Sequence, residues 1–320
     1  MVFEAAREWP KSGVFKNGNP SKSKGSSLKS LETTERRSYY CLRHCLLPKD
    51  EVTLEDVYSS LVCFMLFSTR SLNILSLCYR RSSHVRRTWT LDLTVASFDV
   101  IGIPQSVGLL ASSIVDPSFS KAYSASNGAL AEANFSSDLS ILAVKGYRVA
   151  AIAKPFGYPE IFEPDVQLEL LERIFLKMFL SLAVDRGAYE TLQVAQKTLW
   201  RTMLAGSGIK NDLEDFQKWC SWLDTDSERL EKWEQIICPQ LNRRLFSISG
   251  GNFKFGKAWD SIKPEDHICL ILGCDVPLVL RPVEDHYELI GDCYVDGIMA
   301  GEAMKDFQER NIELETFKLC

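Results

Sequence analysis

Two carboxylates near the chain end, Asp296 and Glu302, come closest in type and spacing to catalytic chemistry. Two carboxyl groups that reach one substrate can act as a general acid/base pair, one giving and one taking a proton. Two acids at the start of a helix have a simpler reason to stand there, because the helix dipole favours negative charge at its N-terminus. Both readings fit, and the second asks for less. Other combinations are weaker. Cys41, His44 and Cys45 approach ligand spacing but lack the second pair that a four-ligand zinc site requires. Gly206-Ser207-Gly208-Ile209-Lys210 has neither the GxxxxGK[ST] spacing nor the preceding strand of a phosphate loop. His267 and His286 fall at a strand start and a turn, where an exposed histidine needs no partner. No Cys–His or Ser–His–Asp set can be assembled from order alone, since its members meet only in the fold. The expectation is no metal and no cofactor.

The elements that must position these residues belong to a chain of 320 residues, 46% apolar and 25% charged, enough to bury a sizeable core. A net charge of -5 offers no basic footprint for a phosphate backbone, so nucleic acid is not expected as a partner. The N-terminus has no apolar core of signal-peptide type, and the apolar run 57–67 is too short to span a bilayer. A cytoplasmic protein with no membrane partner is expected, its ten cysteines reduced and mostly in the core.

Residues 1–47 form a variable or disordered arm, rich in Ser, Lys and Gly around SKSKGSSLKS. From Pro48 the period is helical. Thr53 can cap, Glu55 and Asp56 fall in the first turn, and the helix ends near Thr69. A shorter helix covers Ser71 to Cys78. The cluster Arg80, Arg81, Arg86 and Arg87 reads as a solvated loop, and 97–117 as irregular. Asn127-Gly128 marks a turn. Residues 134–153 read as two strands on either side of Gly146, a glycine that permits a bulge or close backbone approach. Helical stripes fill the region 164–239, including Leu192, Ala195, Leu199 and Met203. After it, a hairpin around Gly250-Gly251 leads to short strands at 268–272, 277–281, 287–290 and 293–295.

The ordered motifs VPLVLRP, YELIGDCYV and GIMAGEA, with Trp200-Arg201-Thr202 upstream, look like the C-terminal region of fungal heterokaryon-incompatibility (HET domain) proteins. The resemblance covers about residues 48–304. The chain departs from it at Phe255-Gly256-Lys257, where the family commonly has a Gly-Leu-Gly-Pro type turn. It departs again at Asp296, where relatives often carry histidine, and at Ala300, where they carry an acid. The family's N-terminal domain, similar to the TIR fold and held to drive cell death after incompatible fusion, has no counterpart in residues 1–47. Arg281, Arg201 and Tyr294 stand as candidate binding residues.

The expected architecture is α+β: a small antiparallel β-barrel-like sheet interrupted by a helical insertion and preceded by an N-terminal helical segment. The expected units are the arm 1–47, a helical segment and linker at 48–118, and a barrel-like domain at 119–320 with the insertion at about 164–239. The resemblance implies a regulatory or recognition module that takes a protein partner or self-associates, encoded as a shortened paralogue or a partial gene product. The alternative is an enzyme acting on a small ligand or nucleotide at the acidic C-terminal end of the barrel, near Glu302.

Overall fold

The computed structural model describes residues 53–78, 87–90, 123–156, 189–206, 214, 217, 243–249 and 254–320. The arm 1–47 with Cys41, His44 and Cys45, the arginines Arg80, Arg81 and Arg86, the irregular stretch 97–117 and the stripe residues read at 171–182 and 213–237 lie outside them.

Helix α1 (Leu54–Thr69) starts where the sequence places it. The Thr53 hydroxyl accepts from the Asp56 amide at 3.2 Å, and the Asp56 carboxylate accepts from the Thr53 amide at 3.3 Å, a reciprocal capping box. Arg70, left-handed at φ 55, ends the helix and donates its amide to the Leu66 carbonyl at 2.8 Å. The segment after it is a single 3-10 turn, Asn73–Leu77, rather than a helix over Ser71 to Cys78. Its polar side chains bond both locally, with Ser76 Oγ donating to the Asn73 carbonyl at 2.8 Å, and to a distant part of the chain. Ser71 Oγ donates to the Gly273 carbonyl at 3.1 Å, and Asn73 exchanges 2.7 Å hydrogen bonds with the Asp275 carboxylate and amide.

Eight strands follow: β1 (Ala133–Phe135), β2 (Leu142–Phe156), β3 (Arg243–Ile248), β4 (Phe255–Trp259), β5 (His267–Ile271), β6 (Leu278–Val283), β7 (His286–Val295) and β8 (Glu315–Leu319). Between them lie helix α2 (Leu192–Met203) and helix α3 (Glu302–Glu309). The two strands expected around Gly146 are one, β2, which passes straight through the glycine. A Cβ there would run into the Leu270 carbonyl of β5, so Gly146 serves close approach. The bulge falls further on, between Arg148 and Ala150. Likewise β7 is one strand where two, 287–290 and 293–295, were expected: between them Gly291 takes φ +140, and its absent side chain leaves room for the Trp259 indole.

Strand β2 organises the sheet. Its first half pairs with β1 and β8, and its second half with β5 and β3. The antiparallel pairings then run β5 to β6, β6 to β7, β7 to β4, β4 to β3 and back to β2. Six strands thereby form a closed circuit, and strands before and after the helical insertion share one sheet. This is the barrel-like arrangement expected, with a terminal strand, β8, that the sequence reading missed.

The alternation of side chains across these strands makes two cores. Ile268 and Leu270 of β5 point inward with Phe246, Ile248, Val279, Ile290 and Val295. Cys269 and Ile271 point outward, joining Val62 and Leu66 of α1, Leu72, Leu75, Trp89 and Phe317. Strand β5 is buried on both faces, and its sequence HICLI is accordingly an unbroken apolar run from Ile268 onward. Cys63, Cys78, Cys269, Cys274 and Cys293 are buried, as expected of core cysteines. Among the described residues, no helix is long and apolar enough to cross a membrane.

Candidate functional site

The outward faces of β3, β4 and β7 carry charge where the strand pattern calls for apolar residues. In β4, Ala258 faces the interior while Lys257 and Trp259 face the other way. Arg243 lies opposite Trp259 in register, and Lys257 opposite Tyr294. The seam is covered by α2. That helix is capped by Thr191, whose hydroxyl accepts from the Val194 amide at 3.2 Å, and it buries Ala195, Leu199 and Trp200.

At the centre is Asp292, fully buried. Its Oδ1 accepts from Arg243 Nη2 at 2.5 Å and from the Trp259 indole Nε1 at 2.8 Å. The Asp292 backbone carbonyl accepts a second guanidinium hydrogen bond at 3.3 Å, and the Arg243 guanidinium stands 4.4 Å from the Trp259 ring centroid. Charge-assisted hydrogen bonding and cation–π attraction thus hold three strands together at one point. Lys257 Nζ donates to the Met203 carbonyl at the end of α2, at 2.7 Å. Burial, and then the charge of Arg243, bring its ammonium down to about 7.

Two phenols, Tyr123 and Tyr294, stand at that end of α2. Tyr123 Oη donates to the Ala205 carbonyl at 2.5 Å, and its ring meets that of Tyr294 edge-on at 6.4 Å. Tyr294 Oη donates to Asp296 Oδ1 at 3.1 Å. Burial pushes Tyr123 up to about 12, and burial together with the Asp296 charge raises Tyr294 well above the usual phenol range. Gly206, at φ +73, packs its bare α-carbon against the Tyr294 ring.

Three residues singled out from sequence therefore meet here: Tyr294 and Asp296 by hydrogen bond, and Arg201 through its charge, which acts on the Tyr294 phenol. Arg281 is elsewhere. Its guanidinium grips the buried Asp266 carboxylate with two 2.8 Å hydrogen bonds and donates to the Ser261 carbonyl at 2.9 Å, a clamp of β6 onto the start of β5. Glu302 sits exposed in the first turn of α3 and accepts from the Ala300 amide at 2.8 Å. The two carboxylates proposed as an acid/base pair thus take different partners, a phenol and a local amide, and Glu302 has the helix-start setting of the simpler reading. Arg243, Lys257 and Asp292 were missed. The signal for them lies in FGKAW and LIGDCYV, where a lone charge interrupts a strand that is otherwise buried. No group of metal-ligand residues occurs among the described residues.

Residues 189–314 match the family model described as the Het-6 beta-barrel domain. That family model is associated with the C-terminal region of fungal HET proteins, and the match, confined to residues 189–314, spans α2, β3 to β7 and α3, with the whole seam apart from Tyr123. No curated protein and no solved structure matches the chain.

Proposed function

We propose that this chain, which carries an incompatibility-type barrel domain at 189–314, is a non-catalytic regulatory or recognition module of a fungal incompatibility system. It acts in the cytoplasm through its surface, on a protein partner or a second copy of itself.

The observation that carries this reading is the packing of the barrel interior. Phe246, Ile248, Ile268, Leu270, Val279, Ile290 and Val295 fill it, none more than 7% exposed. A small-molecule site needs a concave space with a few convergent polar groups, and the described side chains that fill this interior are aliphatic and aromatic. The buried charges support the same view. Arg243 with Asp292 and Arg281 with Asp266 are spent on each other, fixing strands rather than facing a substrate.

The test has two arms on the purified full chain. Light scattering and affinity capture with stoichiometry are expected to give a dimer or a defined protein complex. Incubation with nucleoside triphosphates and dinucleotides is expected to give no turnover. Hydrolysis by the wild type that disappears in Glu302→Ala would overturn the module reading in favour of an enzyme acting at the acidic end of the barrel.

A further inference from the structure

From Val57 to Thr69, helix α1 carries no charged residue. One side of it is core, with Ser59, Val62, Cys63 and Leu66 buried. A helix on a protein surface normally turns charge to the water on its other side. This one turns Val57, Leu61 and Phe64, which are 41%, 37% and 36% exposed, followed by exposed Ser68. Their steps of four, three and four residues have the spacing of a coiled-coil seam. The helix hydroxyls do little to make that face polar, because Ser59, Ser68 and Thr69 donate back to the Glu55, Phe64 and Met65 carbonyls.

The charges stand at the two ends of α1 and differ in sign. Glu55 and Asp56 occupy the first turn, and Asp50 and Glu51 come just before it in sequence. Arg87 answers that first turn, its amide donating to Glu55 at 2.7 Å and its Nη1 to Asp56 at 3.3 Å. At the other end Arg70 is exposed, and among the described residues its guanidinium makes no ion pair.

We propose that the outer face of α1 is a dimer surface, occupied by α1 of a second copy packed antiparallel across a two-fold axis beside Leu61. Val57 of each copy then meets Phe64 of the other, Leu61 meets Leu61, and each Arg70 points toward the acidic start of the opposite helix. Antiparallel helix dipoles favour the same arrangement. A parallel pair sets Arg70 against Arg70 and acid against acid, which is why the antiparallel one is assigned. The proposal deepens the self-association named in the module reading and rests on it. A single helix face is smaller than the roughly 800 Å² per partner of a standard interface, so the dimer is weak and forms at micromolar concentration.

Sedimentation velocity of the full chain between about 1 and 300 µM tests it. The mass is expected to rise from that of one chain toward that of two. Leu61→Glu brings two carboxylates together at the axis and is expected to weaken the dimer about a hundred-fold, with the circular dichroism and urea midpoint of the wild type. Arg70→Glu turns attraction into repulsion at both ends and is expected to weaken it about ten-fold. Should Leu61→Glu not fold, Phe64→Gln takes its place. A chain that stays monomeric throughout overturns the proposal, while capture of a protein partner by that monomer keeps the module reading. A dimer untouched by Leu61→Glu also overturns it, and assigns self-association to another face. An unchanged Kd in Arg70→Glu overturns the antiparallel pairing.

Discussion

Asp292 joins β3, β4 and β7 at one point. Its carboxylate answers a guanidinium and an indole at once, in a site without water-exposed surface. Removing one member of such a buried pair costs roughly 3–5 kcal/mol, because the remaining charge stays buried without its partner. Asp292→Ala is therefore expected to lower the unfolding free energy read from urea denaturation by an amount of that order, while Arg243→Met combined with Asp292→Leu recovers much of the loss. A double variant no more stable than the single one would show that the orphaned guanidinium is not what sets the cost. Lys257 and Asp292 were missed although each is a lone charge inside an apolar run, and their partners leave no such signal. Arg243 and Asp292 meet only because β4 lies between β3 and β7, an adjacency that no local spacing encodes. Asp296 and Glu302 show the reverse: their nearness in sequence suggested a pair, yet each bonds to something closer at hand.

At the scale of elements, legibility followed locality. The start of α1 could be read because Thr53 and Asp56 are three residues apart and complete their bonds with each other. Thr53→Ala is expected to cost about 1 kcal/mol of stability in thermal or urea unfolding, the usual worth of an N-cap side chain. Asp56 adds a pH dependence. Burial pulls its carboxyl up, but the Thr53 hydroxyl and amide and the Arg87 guanidinium outweigh that and leave it below its ordinary 3.8. Its stabilisation is thus present above the ordinary value and lost as pH falls through the lowered one. Asp56→Asn is expected to shrink the loss of stability on acidification below pH 4. An acid limb identical to wild type would assign that loss to other carboxylates. The strands on either side of Gly146 and Gly291 were misjudged for a related reason. A glycine in a strand pattern signals either a break or a close neighbour, and both neighbours, Leu270 and Trp259, come from other parts of the chain.

For the whole molecule, the barrel-like circuit was inferred from the number and spacing of short strands, and the pairings that close it carry the expectation through. What the sequence hid was how much rests on β2. It and β3 are antiparallel neighbours, paired Ile152 to Ile248, which is the geometry of a hairpin. The connection between them, however, is residues 157–242 instead of a tight turn. Loop-closure entropy grows with the logarithm of length, so bringing these two strands together costs about 3 kcal/mol more than closing a four-residue turn. The pairing of Leu142 with Leu319 spans still more chain. Contacts of such separation slow folding, because loop-closure entropy opposes them until they form. Stopped-flow kinetics of Ile152→Ala are accordingly expected to show faster unfolding with a refolding rate close to wild type, and refolding slowed in proportion to the lost stability would contradict this. The junction of β2 with β3 that helps close the sheet into a ring is then a seam in time as well: it is expected among the late contacts as the chain folds, and among the early ones to part.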